Sequence, residues 1–280
     1  MPDPRNVEIT ADPAFEAQLR EAGLLDLGAL FTRADLVPVK TKLAERQTLK
    51  LALPGGMPVY IKRYPKLRKP GLLGRASAPS PARREWMALT VLGGAGVPTI
   101  RPLALLEECQ GRHTVRAALI TLGLDAPHTL EDIARTAAVT AARKHAITRE
   151  LARITRRMHD AGINHRDYYL VHIRVGAGDT LHVTDLNRAD LRKVVPERWV
   201  VKDLAALHFS APNPPVSRTD RARFLRAYTG KRLRHCRSLV RAITRKAERM
   251  RRHTGKKVAA GAANYHLPEA GPRMNPDDRR

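Results

Sequence analysis

Little in this sequence suits a disulfide-stapled or membrane-spanning protein. Only two cysteines occur in 280 residues, Cys109 and Cys236. They are too few and too far apart for a disulfide framework or a cysteine zinc site, so two buried thiols in a reducing compartment are expected. Aromatic residues make up 4% of the chain, which leaves few stacking platforms for single strands, and no recognised nucleic-acid reading motif is present. No stretch approaches the roughly 18 apolar residues that would cross a bilayer. The opening "MPDPRNVEITADP" carries acids and prolines where a leader would be basic and then apolar. These absences predict a cytoplasmic protein without a membrane span and argue against a nucleic-acid partner.

Acids are also scarce beside bases. The chain has 27 Asp and Glu against 51 Lys and Arg, a formal charge of +24, which implies an anionic partner: nucleic acid, an acidic membrane surface or a phosphorylated substrate. Much of the charge lies in "KRLRHCRSLVRAITRKAERMRRHTGKK", Lys231 to Lys257. There Leu233, Leu239, Val240 and Ile243 keep a helical period and Gly255 is placed to end the helix. A solvated helix face and an anion-binding one read alike in this segment.

What is present divides the chain. A hydrophobic fraction of 43% over this length predicts one large domain or two lobes. After a lead expected to be helical, "AFEAQLREAGLLDLGALF", apolar and polar residues alternate over Thr48 to Leu53 and Pro58 to Tyr64, joined by Pro54-Gly55-Gly56. This is a hairpin signature. "PKLRKPGLLGRASAPSPARRE" reads as a mobile cationic loop. A helix follows from Pro81 through Trp86, Leu89 and Leu92 to Gly93-Gly94, then strands at Leu103 to Glu107 and Val115 to Leu122. From Thr140 the pattern turns helical, with an apolar stripe of Ile147, Leu151, Ile154 and Met158 ending at Gly162. Two short strands, "VHIRV" and "LHVTDL", interrupt the helical remainder.

Phosphoryl transfer requires a carboxylate at the acceptor hydroxyl, a carboxylate for Mg²⁺ and a cation on the nucleotide phosphates. Asp167 in "NHRDYYL" follows a helix and precedes a strand, and Asp185 stands 18 residues later at the end of "LHVTD". Lys62 sits in the strand pattern "VYIKRY", and Glu85 begins the following helix, within reach of that lysine. Any one of these residues has an ordinary explanation: an edge lysine, a helix-dipole acid, a chance tripeptide. Their order, Lys62, Glu85, Asp167, Asp185, is that of the protein-kinase signature set.

"GINHRDYYLVHIRV", "VTDLNRAD" and "VKDLAALHFSA" resemble segments of the bacterial lipopolysaccharide core kinases, the InaA-type family that includes inner-core heptose kinases and Kdo kinases. The resemblance runs from about residue 36 to 230. It implies an α+β, protein-kinase-like bilobal fold: a small antiparallel-sheet N-lobe with one helix and a mainly helical C-lobe. It also implies an ATP-dependent sugar kinase using Mg²⁺, with Lys62 on the phosphates, Glu85 as its partner and Asp167 as general base. His165 and Arg166 would be members of the catalytic loop and Asp185 a metal ligand. Residues 117–125, with Leu122, would form the hinge that receives adenine, and Asp203 would brace the loop.

Two departures from the protein-kinase pattern matter. His172 stands where a second metal ligand would be asparagine, a substitution shared with the lipopolysaccharide kinases; neutral imidazole suits a hard cation poorly, and Asn187 is the other candidate. No G-x-G-x-x-G precedes Lys62, so phosphate binding would lean on Lys40, Lys42 or Arg46. Only 17 residues separate Asp185 from Asp203, with no A-P-E, which favours a small or surface-displayed acceptor over a peptide.

The expected organisation is a helical lead over 1–35, an N-lobe over 36–125, a C-lobe over 126–257 and a disordered tail over 258–280. The expected acceptor is a heptose or Kdo hydroxyl of lipopolysaccharide core glycolipid, with the protein in peripheral contact with the anionic inner-membrane surface. The alternatives are a protein or small-molecule kinase, and a basic nucleic-acid- or membrane-binding pseudokinase.

Overall fold

The computed structural model describes residues 6–43, 46–67, 79–111, 113–136, 139–213 and 215–260, with backbone alone for 40–43. Two compact units form, one from Met1–Val91 with Ile100–Leu124 and the other from Leu92–Thr99 with Asp125–Arg280.

In chain order the first unit contains β1 (Asn6–Ala11), α1 (Glu16–Glu21), α2 (Leu27–Thr32), β2 (Val37–Leu43), β3 (Arg46–Ala52) and β4 (Pro58–Tyr64). It continues through most of α3 (Pro81–Gly94) to β5 (Pro102–Gln110) and β6 (His113–Leu122). The six strands form one antiparallel sheet in the order β1-β5-β6-β4-β3-β2. The β3–β4 hairpin turns where the sequence places Pro54-Gly55-Gly56, with Gly55 and Gly56 at φ of 85° and 82°, a region that bulkier residues avoid. Side-chain alternation then sorts the sheet faces. Val59 and Ile61 of β4 join Leu49, Leu106 and Ile120 in a core capped by Leu19, Leu24, Leu27 and Leu30 of the α1–α2 segment. Each of these leucines is essentially fully buried, worth about 1.5–3 kcal/mol apiece. Lys62, one step from Ile61, therefore points to the opposite face.

The lead is not a separate helical segment. Its first described residues are β1, paired along β5 from Asn6↔Cys109 to Ala11↔Ala104, and its helices supply core leucines to the first unit. The expected mobile loop falls largely on residues 68–78, outside the described residues.

The second unit contains β7 (His128–Thr129), α4 (Leu130–Arg135), α5 (Ala141–Asp160), β8 (Ile163–Asn164), β9 (Ile173–Val175), β10 (Leu181–Val183) and β11 (Asp190–Leu191). It ends with α6 (Glu197–Ser210), α7 (Arg218–Thr229) and α8 (Arg237–Ala259). Thr140 caps α5 by accepting from the Arg143 amide, and Ile147, Leu151, Ile154 and Met158 are all buried along one stripe. Gly162 ends the turn after α5 at φ 79°. A Cβ there would lie 2.0 Å from the Arg192 carbonyl oxygen, so only glycine lets the chain pass beside that carbonyl. Leu204, Phe209, Leu225, Tyr228, Val240 and Ile243 build a second core from α6, α7 and α8. Among the described residues no helix is long and apolar enough to cross a membrane.

Gly255 does not end the basic helix, because α8 runs through it to Ala259. A helical glycine costs about 1 kcal/mol relative to alanine. Lys256 and Lys257 in the last turn favour the negative end of the helix dipole and offset part of that cost. The start is also later than the sequence suggests, since Leu233–His235 form a separate 3-10 turn. The proposed tail therefore begins as helix at 258–259, and its residues 261–280 lie outside the described set.

Candidate active site

Within the first unit, β4 carries Lys62 between Thr48 of β3 and Leu119 of β6. Its Nζ donates to Glu85 Oε1 of α3 at 2.5 Å. The Glu85 side chain is 2% exposed and that of Lys62 15%, so the pair sits where solvent screens it weakly. Glu85 Oε2 is buried and has no hydrogen-bond partner among the described residues. The carboxylate thus orients the ammonium through one oxygen and leaves the other without a hydrogen-bond partner among the described residues. Nearby, Arg83 of the same helix pairs with Glu107 of β5 and with Glu8 of β1, fixing α3 to the sheet.

Leu122 closes β6 and donates its amide to the Arg101 carbonyl at 2.9 Å. Its N–H is thereby used inside the sheet and is not free for a bound base. Gly123 follows with its amide on the Pro58 carbonyl at 2.7 Å. Arg46 opens β3 opposite Leu43. The Lys40 and Lys42 side chains lie outside the described residues.

Within the second unit the His-Arg-Asp loop is built around a buried carboxylate. Asp203 of α6 is fully buried and accepts from two consecutive amides, His165 N–H at 2.7 Å and Arg166 N–H at 2.8 Å. Bonds from backbone amides to a charged acceptor are strong, and these hold Arg166 at φ 72°, a left-handed conformation that arginine otherwise avoids. A further chain supports Asp203. Burial pushes the Tyr228 hydroxyl up to about 12, so it keeps its proton. It can donate to His159 Nδ1 at 2.8 Å, whose Nε2 lies 3.4 Å from Asp203 Oδ2.

The same loop is tied to the strand that presents Asp185. His165 is fully buried, and its Nε2 lies 2.9 Å from the Thr184 carbonyl. That contact requires the Nε2–H tautomer. Thr184 in turn donates its amide and its hydroxyl to the His172 carbonyl, each at 2.9 Å. Asp167, flanking this brace, has a partly exposed side chain, and Arg188 Nη1 lies 3.0 Å from both of its carboxylate oxygens.

Asp185 adopts a left-handed conformation, φ 61° and ψ 55°, which aspartate tolerates better than most residues. Its Oδ1 accepts from Asn187 Nδ2 at 2.8 Å, and its Oδ2 lies 3.4 Å from His172 Nδ1. Among the described residues no group of three or more His, Cys, Asp or Glu forms a cation cage. The oxygen donors here, the Asp185 carboxylate and the Asn187 amide oxygen, suit a hard divalent cation; the His172 nitrogen does not. A small donor set of this kind fits Mg²⁺, which commonly keeps waters and substrate oxygens in its shell.

The sequence model of the lipopolysaccharide kinase (Kdo/WaaP) family matches residues 67–228. Lipopolysaccharide core heptose(I) kinase WaaP of Escherichia coli strain K12 is 35% identical over 211 residues, spanning 70% of this chain and 77% of that protein. The protein of the same description from Pseudomonas aeruginosa PAO1 is 37% identical over 183 residues, spanning 60% and 68%. A solved structure described as WaaP in complex with acyl carrier protein superposes with a TM-score of 0.69 at 30% identity, covering 86% of this chain and 98% of that one.

The chain belongs to the lipopolysaccharide kinase family. It is therefore a phosphotransferase acting on a sugar hydroxyl of the lipopolysaccharide inner core, and its fold is kinase-like, with the α+β character that its sequence implies.

In this lipopolysaccharide kinase the structure brings together Lys62 with Glu85, and Asp185 with His172 and Asn187. Sequence reasoning missed Arg188, although it lies inside the quoted "VTDLNRAD". An arginine on a short irregular segment has no periodicity to reveal its target. The Tyr228–His159 support of Asp203 was equally hidden, because its members come from α5, α6 and α7.

Proposed function

We propose that the protein transfers the γ-phosphate of ATP to a heptose hydroxyl of the lipopolysaccharide inner core. The observation that carries the reading is the position of Asp167 on a loop fixed by the two amide bonds to Asp203. A carboxylate held in this way can accept the acceptor hydroxyl's proton without first losing conformational freedom. Arg188 holds the same carboxylate in place. Lys62, oriented by Glu85, is the cation for the nucleotide phosphates; Leu122 packs beside Val59 in the leucine core, on the sheet face opposite Lys62. Asp185 would hold Mg²⁺ with the Asn187 amide oxygen as a second donor, and His172 would support Asp185 without ligating the metal. Bound there, Mg²⁺ would neutralise charge on the phosphates.

Incubation of the purified protein with γ-labelled ATP tests the reading when core glycolipid lacking the heptose phosphate and a generic protein are offered side by side. Label should enter the glycolipid alone. Label on the protein acceptor alone would establish the protein-kinase alternative instead.

The second unit also carries an open apolar pocket lined in part by Leu130, Ile133, Ile147, Leu151, Leu204 and Phe224. At its polar end Arg221 Nη1 lies 2.9 Å from His208 Nδ1. Burial, with Arg221 and Arg251 close by, pushes the His208 imidazole down to about 3, so the ring stays neutral and accepts from the guanidinium. The solved relative is described in complex with acyl carrier protein. We propose that this chain binds such a carrier too, the pocket taking its acyl chain. Carrier loaded with a long acyl chain should raise the melting temperature more than unloaded carrier does; equal shifts would contradict the assignment.

A further inference from the structure

Three segments of the second unit bring four cations to one indole. Around Trp199 of α6, Arg166 Cζ lies 5.4 Å from a ring centroid, Arg192 Cζ 5.6 Å, Arg198 Cζ 5.7 Å and Lys202 Nζ 5.3 Å. The ring faces attract cations, but they do not remove the repulsion among four positive groups packed around one side chain. Two carboxylates offset part of it. Asp190 takes Arg192 at 2.9 Å and Arg166 at 3.5 Å, and Asp167 takes Arg188 at 3.0 Å. Arg198 and Lys202 have no carboxylate within ion-pair distance among the described residues. Burial lowers the Lys202 pKa, with Arg166 and Arg188 adding to the effect and Asp167 opposing it, so the ammonium senses the loop that carries Asp167. Two buried donors also lack partners among the described residues, Trp199 Nε1 and Arg166 Nε. Five cations against two carboxylates, with two donors unpartnered among the described residues, leave an excess of positive charge that an anion would offset.

We propose that this cation cluster binds a carboxylate or phosphate of the acceptor glycolipid and so selects an acidic saccharide, whose nearby hydroxyl it presents to Asp167. The assignment rests on the kinase reading above and adds the acceptor's recognition group to it. Arg198 and Lys202 are then positioning residues for the acceptor, acting on its binding and not on the transferred group. Trp199 forms the floor over which the cations are arrayed.

The test combines Arg198→Gln with Lys202→Gln and measures transfer to three acceptors: intact inner-core glycolipid, the same glycolipid with its carboxyl groups reduced to alcohols, and the same glycolipid stripped of phosphate. For the intact acceptor the KM should rise at least about tenfold, the loss expected for two charge-assisted contacts. The kcat and the KM for ATP should stay within about twofold. The melting temperature should not fall, because removing two crowded cations relieves repulsion. On the acceptor lacking the recognised anion, parent and variant should coincide, which identifies carboxylate or phosphate as the group bound. An unchanged KM for the intact acceptor, or the same penalty on all three, overturns the proposal.

Binding gives a second readout without turnover. The chain has two tryptophans, so in a Trp86→Phe background the emission of Trp199 reports on the cluster. Titration with delipidated core oligosaccharide should give a saturable change that the double variant loses. A saturable change with no phosphate transfer would reject the proposed function and keep the cluster. Efficient transfer with an unaffected double variant would do the reverse.

Discussion

Replacement of Asp167 by asparagine is expected to slow phosphate transfer by about 10²- to 10⁴-fold, the usual worth of a positioned general base. The melting temperature should stay close to that of the parent. Both halves follow from where the residue sits. The Asp167 side chain is 24% exposed and among the described residues forms its ion pair with Arg188, itself 56% exposed, so removing its charge disturbs no core, and an exposed ion pair contributes at most about 1 kcal/mol. Asparagine keeps the size but cannot take a proton. Steady-state rates with saturating nucleotide and acceptor, paired with a thermal melt, separate chemistry from folding. A variant that retains its rate within a few-fold would remove Asp167 from the mechanism.

Asp203→Ala should do the opposite, losing stability and activity together. The carboxylate is fully buried and satisfies two amides. Its loss leaves both N–H groups unpaired at about 1–3 kcal/mol each, and it removes the amide bonds that hold Arg166 in its left-handed conformation. The urea midpoint should fall by an amount equivalent to several kcal/mol with little change in slope. Activity measured well below the new midpoint should also drop, because Asp167 is no longer presented in one geometry. Asp203→Asn should fall between the two, since its amide oxygen can serve one backbone donor and its NH₂ opposes the other. An alanine variant as stable as the parent would show that the loop is held by other means.

Features set by neighbouring residues could be read from the sequence. The Pro54-Gly55-Gly56 turn needs positive φ at two positions, which the glycines announce, and the α5 stripe follows from a period that burial imposes. The contact of Lys62 with Glu85 was legible because a strand lysine and an acid early in the next helix can meet across one sheet. What stayed hidden depends on partners distant in sequence. The strand Asn6–Ala11 is defined by an edge roughly a hundred residues away, and nothing local distinguishes it from an extended lead. Gly255 read as a stop because its lysine-rich surroundings, which favour continuing the helix, were not weighed against its propensity. The cations around Trp199 arrive from the catalytic loop, the segment after β11 and the first turns of α6. In a chain with 51 basic residues, their convergence becomes visible only in three dimensions.

Phosphoryl transfer to an inner-core sugar is tested most directly by mass spectrometry of core oligosaccharide from cells carrying the intact gene and from cells carrying Asp167→Asn in its place. The oligosaccharides should differ by a single phosphate on a heptose, present in the first and missing in the second. Identical oligosaccharides, in cells where both proteins accumulate to the same level, would contradict it.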